Sequence, residues 1–353
     1  MTDQIDEVFT TPGGRLVAVE EAVGLVIPHD ITEIVKGKKK GPAFKKGHVI
    51  SEEDIEKLKD LGKFHIYCLD FGPDYVHENE AGRMIARSAC GPGVECDMNV
   101  SEGKVAFRAA IDGLFRVDKE RLLEFNLLGE VMLSTRHTNS IVTKGDQVAA
   151  GRAIPLVVSR KLMEQAEGIL KEANGILRVS PWQIQNGSIV VTGREVFEGR
   201  IKDAFGPAMK KKLQSLGLDI LSLERVTDDA VLIAEAIKRA ISNGAQLVLC
   251  TGGMSVDPDD VTRKGIRLAG ATEITYGSPV LPGAMFLVSY IEDVPVLGIP
   301  ACGMYFKTTV LDLVLPRILT NERIGRPEIA ALGHGGLCLS CKKCNYPTCP
   351  FGK

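Results

Sequence analysis

The stretch "LVLCTGGMSVDPDD", residues 247–260, combines a bare backbone with clustered negative charge. It begins as a buried strand and breaks at Gly252 and Gly253. Three aspartates then follow within four positions: Asp257, Asp259 and Asp260. Glycine lets backbone amides approach a phosphate closely, and Mg²⁺ can lie between that phosphate and the carboxylates. The pattern therefore predicts metal-assisted phosphate chemistry, while a helix N-cap followed by proline and first-turn acids explains the same residues without any ligand.

A second pattern with chemical potential is the cysteine run "CLSCKKCNYPTCP". Its ligand candidates are Cys338, Cys341, Cys344 and Cys349. The spacing resembles the cysteine run of bacterial ferredoxins with one extra residue before the last cysteine. Four thiolates equally suit tetrahedral zinc. The run therefore predicts a metal centre, either a 4Fe-4S cluster or Zn²⁺, and unligated cysteines remain a third alternative.

The elements that position the glycine loop alternate between strands and helices from about residue 187. Apolar runs of strand length alternate with segments that have apolar residues at helical spacing, which predicts a mostly parallel sheet covered on both sides. We therefore expect a three-layer α/β/α domain over residues 187–325. Within it, the sequence predicts a helix over 258–270, a hairpin over 285–300 and a closing helix over 304–319. Ligands bind such sheets beyond the carboxyl ends of the strands, where "VTGREVFEG" and "CTGGMSVDPDD" both lie.

The rest of the chain has a different character. The first 160 residues contain short β-like segments, with a predicted hairpin turn at Asp112 and Gly113. The predicted parts are a β-rich N-terminal region over 1–75, a second β-rich region over 76–160, a helical linker over 161–186, the α/β domain over 187–325 and a Cys-rich tail over 326–353.

Composition limits the function classes. The 353 residues include 43 basic and 45 acidic side chains, a formal net charge of -2, which gives no reason to expect nucleic acid as a partner. The lysine-rich run between 36 and 46 is typical of a solvated loop, with an anion-collecting patch as the alternative. No apolar stretch is long enough for a membrane span, and the first residues do not resemble a secretory signal. We therefore expect a cytoplasmic protein that does not bind membranes.

The order of motifs over residues 187–320 resembles the molybdopterin molybdenumtransferase family. The resemblance rests on "VTGREVFEGRIKDAF", "VTDDAVLIAEAI", "LVLCTGGMSVDPDDVT", "SPVLPGAMF" and "VLGIPACGMYFKTTVLDLVLPRIL". It implies a domain that binds molybdopterin, cleaves its adenylylated form with Mg²⁺ and inserts molybdate into the dithiolene. It also implies a homodimer and a recipient molybdoenzyme as a partner.

The resemblance assigns roles to individual residues. Asp260 would hold Mg²⁺ or aid attack on the phosphoanhydride, and Asp228 or Asp229 would be the second catalytic acid. The residues implied for phosphate or pterin are Thr192, Gly193, Arg194, Glu195, Asp203, Thr251, Gly252, Gly253, Ser255, Pro282, Gly283 and Pro300. Such residues suit phosphoryl cleavage, which depends on positioning and charge neutralisation.

Three pocket loops depart from the family pattern. Gly-Asp-Glu is replaced by Gly193-Arg194-Glu195, Pro-Gly-Lys-Pro by Pro282-Gly283-Ala284-Met285, and Pro-Gly-Asn-Pro by Pro300-Ala301-Cys302-Gly303. These changes favour pterin binding over turnover. A non-catalytic molybdopterin carrier or sensor, whose cysteine tail contacts a redox partner, therefore stays open beside the enzyme, as does a general nucleotide-binding α/β protein.

Overall fold

The computed structural model describes residues 14–25, 27–35, 39–45, 48, 50–69, 73–171, 174–255 and 261–353. The chain divides into two compact units. Unit 1 contains Met1–Thr138 and Val142–Val179, and unit 2 contains Asn139–Ile141 and Ser180–Lys353. None of the helices in the described ranges is long and apolar enough to cross a membrane.

Unit 1 is built mainly from short strands. The strands, in chain order, are β1 Gly14–Ala18, β2 Ile31–Val35, β3 Lys39–Phe44, β4 His65–Leu69, β5 Tyr75–His77, β6 Val94–Cys96, β7 Lys104–Ala109, β8 Gly113–Val117, β9 Val131–Thr135, β10 Ser140–Val142, β11 Gln147–Ala153, β12 Val157–Ser159 and β13 Leu177–Ser180. Three residues of these strands, Ser140, Ile141 and Ser180, belong to unit 2. The helices are α1 Asp54–Asp60, α2 Glu78–Ala89, α3 Lys119–Asn126 and α4 Arg160–Lys171. The antiparallel sheet β6-β7-β11-β9 contains four strands.

Unit 1 contains two separate hydrophobic cores. One lies in the segment before β5 and includes Val19, Phe44 and Leu58. The other packs α2 and α4 with the four-stranded sheet and includes Phe107 and Met163. The helix predicted in the linker over 161–186 ends at Lys171, and β13 follows it.

The prediction of a hairpin turn at Asp112 and Gly113 is wrong. Strand β7 ends at Ala109 and strand β8 begins at Gly113, and the two strands belong to different sheets. Gly113 has a φ of 159°, which is extended, whereas a two-residue hairpin turn of the Asp-Gly type requires left-handed backbone. The Asp-Gly pair here carries the chain from one sheet to another.

Unit 2 contains the α/β domain predicted from the sequence. Its strands are β14 Asn186–Thr192, β15 Asp219–Val226, β16 Val248–Thr251, β17 Thr272–Tyr276, β18 Leu287–Ile291 and β19 Val294–Ile299. Its helices are α5 Arg194–Phe197, α6 Phe205–Ser215, α7 Ala230–Ser242, α8 Thr262–Leu268, α9 Cys302–Tyr305, α10 Val310–Leu319 and α11 Arg326–Ala331. The sheet order is β15-β14-β16-β19-β18-β17.

The sheet is mixed, with its parallel part at the candidate site. The pairs β15-β14, β14-β16 and β16-β19 are parallel, while β19-β18 and β18-β17 are antiparallel. Successive residues of a strand point to opposite faces, and along β14 Ile189 and Val191 join one hydrophobic core while Val190 joins another. The first core includes residues of α6 and α10, and the second includes residues of α7 and α8. The parallel strands thereby bring their carboxyl ends to one edge.

Two segments of unit 2 differ from the expected pattern. The closing helix expected from residue 304 is interrupted, because Thr309 caps α10: its hydroxyl accepts from Leu311 N–H at 3.2 Å and Asp312 Oδ2 accepts from Thr309 N–H at 2.7 Å. The helix expected after the glycine loop is described from Thr262 onwards as α8, and its expected first residues, 258–260, lie outside the described part of the chain. The hairpin predicted over 285–300 is confirmed by the pairing of β18 with β19.

Candidate functional site

The glycine pair makes a turn that other residues cannot adopt without strain. Gly252 and Gly253 follow β16 with φ values of 86° and 56°, in the left-handed region that favours glycine. A Cβ on Gly252 would lie 2.5 Å from the carbonyl oxygen of Thr192, and one on Gly253 would lie 2.5 Å from Thr262 Oγ1. The loop therefore passes directly against the end of β14 and the start of α8.

Three buried threonines connect these elements. Thr192 Oγ1 donates to the carbonyl oxygen of Thr251 at 3.0 Å and lies 2.9 Å from Thr262 Oγ1. All three side chains are buried. Thr251 Oγ1 has no hydrogen-bond partner within the described part of the chain. A buried hydroxyl without a partner is costly, so its position behind the glycine pair marks a place where a polar group is needed.

Three of the loops singled out in the sequence line one cavity of about 430 Å³. The lining consists of residues 252–255, 281–285 and 300–302. This set includes six of the predicted cofactor residues: Gly252, Gly253, Ser255, Pro282, Gly283 and Pro300. The volume lies within the usual range for small-molecule sites, and the apolar lining is typical of them. Among the described lining residues no side chain is charged.

Two residues that the sequence did not single out hold the glycine loop in place. The Tyr276 hydroxyl donates to the carbonyl oxygen of Met254 at 2.7 Å. Arg263 donates to the carbonyl oxygen of Ser255 at 3.0 Å, and its guanidinium lies 4.5 Å from the centroid of the Tyr276 ring. Tyr276 belongs to β17, an edge strand whose short and partly polar sequence gave no clear strand signal, so only the folded sheet reveals this contact.

The loop after β14 is fixed by the acid predicted to act beside it. Asp228 Oδ2 accepts from the Arg194 N–H at 2.8 Å. Asp229 is the N-cap of α7 and accepts from Val231 N–H at 2.8 Å and Leu232 N–H at 3.1 Å. Arg194 and Glu195 are exposed, and neither is among the residues that line the cavity.

Asp203 has a structural environment of its own. Its Oδ1 accepts from Gly206 N–H at 2.8 Å, at the start of α6. Its Oδ2 lies 3.0 Å from Arg225 Nη2, and the carboxylate is buried. These contacts satisfy the Asp203 side chain within the protein.

The aspartates of the opening motif lie outside the described residues. Asp257, Asp259 and Asp260 all fall in the segment 256–260, between the cavity-lining Ser255 and the N-cap Val261. The predicted magnesium-binding role of Asp260 therefore stays a prediction.

The four tail cysteines line a second cavity of about 270 Å³. Across the described ranges, no group of three or more His, Cys, Asp or Glu side chains is placed to hold a single metal ion. Cys344 Sγ lies 3.4 Å from Thr308 Oγ1. This hydrogen bond is the main cause that lowers the pKa of the Cys344 thiol, and a hydrogen bond with the backbone of Tyr346 is the second. Burial raises the pKa of Tyr346 to about 12.

Comparisons with known protein families match two separate segments. Residues 188–320 match the family described as "Probable molybdopterin binding domain". Residues 16–70 match a "Domain of unknown function (DUF8806)". The first match covers the strands and loops that build the cavity.

Individual relatives are similar over part of the chain. A molybdopterin molybdenumtransferase from Synechococcus elongatus is 24% identical over 164 residues, which are 44% of this chain and 41% of that protein. A CinA-like protein from Solibacter usitatus is 29% identical over 96 residues, 27% of this chain and 23% of that protein. The solved structure of the molybdopterin biosynthesis Mog protein from Mycobacterium ulcerans is 19% identical, aligns with 39% of this chain and 99% of that chain, and has a TM-score of 0.35.

Each curated relative matches only part of this chain, and the match covers only part of that relative. The matched segments span between 18% and 41% of the length of the curated relatives. The matched relatives carry different names, among them a molybdopterin molybdenumtransferase and a CinA-like protein. Residues 188–320 therefore match the family described as "Probable molybdopterin binding domain", and they form an α/β fold.

Proposed function

We propose that the chain acts in molybdenum cofactor biosynthesis: it binds molybdopterin, or adenylylated molybdopterin, in the 430 Å³ cavity and promotes Mg²⁺-dependent molybdate insertion with release of AMP. The observation that carries the proposal is the convergence of three family loops, 252–255, 281–285 and 300–302, on one cavity. The family match over residues 188–320 supports molybdopterin as the ligand.

The chemistry of the cavity fits a ligand with a flat ring and a phosphate. The loops 281–285 and 300–302 offer apolar surface to a ring system, and the two glycines bring the backbone of the third loop to the ligand without a side chain between them. The Thr251 side chain is buried and does not line the cavity, so we propose that Thr251 positions the glycine pair for a phosphate. We propose Thr192 as its positioning neighbour, because it binds the Thr251 carbonyl.

Carboxylates would complete the site on the side of the phosphate. We propose that Asp260 holds Mg²⁺, which would neutralise the phosphate charge when bound. Asp228 fixes the loop that carries Gly193, Arg194 and Glu195 through its bond to the Arg194 N–H, and we propose that this loop faces the phosphate. Asp229 is the weaker catalytic candidate, since its Oδ1 is already bound by two helix N–H groups.

AMP release tests the proposal. The full chain is mixed anaerobically with adenylylated molybdopterin, molybdate and Mg²⁺, and AMP is followed beside the fluorescence of bound pterin. We expect molybdate-dependent release that Asp260→Asn abolishes while pterin affinity stays within a few-fold. Asp219→Asn, an exposed acid at the amino end of β15, is the matched control and should release AMP at the wild-type rate.

Other outcomes assign other functions. Binding without release would support the carrier or sensor, which the altered loops and the uncharged described lining favour. Binding of ATP without binding of pterin would support a general nucleotide-binding protein and would contradict the proposal.

The remaining features are part of the same proposal. We propose a three-layer α/β domain over 187–325, two β-rich regions over 1–75 and 76–160, a helical linker over 161–186, and a tail over 326–353 whose four cysteines hold a 4Fe-4S cluster or Zn²⁺. We also propose a cytoplasmic homodimer that delivers its product to a recipient molybdoenzyme. Asp203 belongs to the proposed pterin site only indirectly, because its carboxylate is paired with Arg225.

A further inference from the structure

The four tail cysteines surround a space. Cys338, Cys341, Cys344 and Cys349 all line the cavity of about 270 Å³. Cys341 is exposed and the other three are partly buried, so the cavity opens to solvent on one side. Four metal-binding side chains from twelve consecutive residues therefore face a common volume.

The volume between the cysteines distinguishes an iron-sulfur cluster from a single zinc ion. Tetrahedral zinc with Zn–S bonds of about 2.3 Å holds its four sulfurs about 3.8 Å apart around one point. The four tail cysteines border a volume of about 270 Å³, which is far larger than one zinc ion. An iron-sulfur cluster is bound at its corners by cysteines that stay apart, and it fills the volume between them. Sulfurs that line a cavity thus fit a cluster better than they fit zinc.

The surroundings suit a negatively charged group. Lys307 and Lys342 line the same cavity, whereas no aspartate or glutamate is among its described lining residues. Four thiolates and a cluster carry net negative charge, which the two ammonium groups offset. Tyr305, Phe306 and Phe351 also line the cavity, and of these three Phe351 is buried whereas Tyr305 and Phe306 are exposed.

The tail is packed on the domain at several points. Phe351 is only 3% exposed and belongs to the hydrophobic core of the first face of the sheet. The Tyr346 hydroxyl donates to the carbonyl oxygen of Asp312 at 3.3 Å. These contacts give the cysteine run a fixed support.

The tail is also connected to the candidate pterin pocket. The Leu281 N–H donates to the carbonyl oxygen of Gly336 at 2.9 Å, and the Cys338 N–H donates to the carbonyl oxygen of Leu281 at 2.8 Å. Leu281 lines the pterin pocket and Cys338 lines the cysteine cavity. A second connection runs through α9, which follows the pocket loop 300–302 and leads into residues 305–308 of the cysteine cavity.

We propose that the tail cavity binds an iron-sulfur cluster rather than a single zinc ion, and that the loaded tail holds the pocket loops at 281–285 and 300–302 in position. Cluster binding stands independently of the ligand in the neighbouring pocket. The assignment of that pocket to molybdopterin rests on the proposed function.

Metal content tests the first part. The full chain is purified anaerobically and reconstituted with ferrous iron and sulfide in the presence of equimolar zinc. We expect about four irons and four sulfides per chain. One zinc per chain with no retained iron would overturn the proposal, and so would retention of neither metal.

Cysteine variants locate the site. Cys341→Ser changes the most exposed of the four ligands and should lower the iron content below half of the wild-type value. Cys96→Ser is the matched control, because Cys96 is partly buried in unit 1 and does not line the cavity. It should retain the full iron content. Equal iron in the two variants would place the cluster elsewhere and refute the assignment.

Hydrogen exchange tests the second part without any pterin. On cluster loading, the amides of Leu281 and Cys338 should exchange roughly tenfold more slowly or better, since metal binding stabilises the contacts made by its ligands. The amide of Leu249 in β16 should not change. Unchanged exchange at Leu281 and Cys338 would refute the link between tail and pocket. A chain that passes these tests and fails to bind pterin would instead refute only the proposed function.

Discussion

Replacing Gly252 with alanine adds one methyl group where the neighbouring strand leaves no room for it. The new Cβ would lie 2.5 Å from the carbonyl oxygen of Thr192, a buried backbone atom. Gly244→Ala is a matched control, because Gly244 has nearly the same φ, 89° against 86°, and has no atom within 4 Å of its ideal Cβ. The pair of variants therefore separates steric overlap from backbone conformation.

The expected loss of stability has two contributions, the left-handed backbone and the steric overlap. A left-handed conformation costs alanine about 1–2 kcal/mol relative to glycine, which applies to both variants. Overlap in a packed interior adds about 1–3 kcal/mol for Gly252→Ala alone. We therefore expect the free energy of unfolding to fall by about 1–2 kcal/mol for Gly244→Ala and by about 2–5 kcal/mol for Gly252→Ala.

Urea unfolding at equilibrium measures this difference, and pterin fluorescence measures its functional consequence. The free energies of the two variants should differ by more than about 1 kcal/mol, and only Gly252→Ala should weaken pterin binding. Equal losses of stability would refute the close approach of the glycine loop to β14. Equal pterin affinities in two variants that both fold would refute the role of this loop in the pocket.

Three further predictions concern single side chains. Thr192→Val should lower the free energy of unfolding by about 1–3 kcal/mol in urea titrations, because the Thr251 carbonyl and the Thr262 hydroxyl lose a hydrogen-bond partner. Thr192→Ser keeps the hydroxyl and should lower the free energy of unfolding by less. Asp229→Ala should cost about 1 kcal/mol as a lost N-cap, and a recovery of stability in Asp229→Asn would confirm that role. Burial opposes ionisation of Asp54, but hydrogen bonds from Ser51 and His48 outweigh it and lower the Asp54 pKa to about 2. Since the folded pKa lies below the unfolded one, this carboxylate stabilises the fold above about pH 4 and the stabilisation is lost as the pH falls towards 2, so Asp54→Asn should flatten the pH dependence of unfolding in that range.

The sequence was most informative where apolar periodicity is strong. The alternation of strands and helices from residue 187 predicted β14, β15, α7 and β16, because each carries a continuous apolar run or a one-sided apolar face. The edge strand β17 gave no such signal, since two of its five residues are exposed. The break before α10 was also missed, although Lys307, Thr308 and Thr309 separate two apolar segments and Thr309 forms the capping box of α10.

The candidate site could be predicted loop by loop but not as an assembly. The glycine pair identified the loop at 252–255, and the family resemblance identified the loops at 281–285 and 300–302. Their convergence on one cavity depends on the order of the strands in the sheet. Arg263 and Tyr276 were not predicted, because they act on backbone carbonyl groups that only the folded loop brings near them. The Asp-Gly pair at 112–113 was predicted wrongly for a related reason. Its residue types favour a hairpin turn, but β7 and β8 each pair with strands of a different sheet.

The measurement that tests the central claim most directly is an anaerobic titration of molybdopterin into the full chain, followed by pterin fluorescence, with ATP as the competitor. We predict saturable binding of one pterin per chain that Gly252→Ala weakens and ATP does not displace. ATP binding without pterin binding, or pterin binding that is the same in wild type and a folded Gly252→Ala variant, would contradict the assignment of the cavity to molybdopterin.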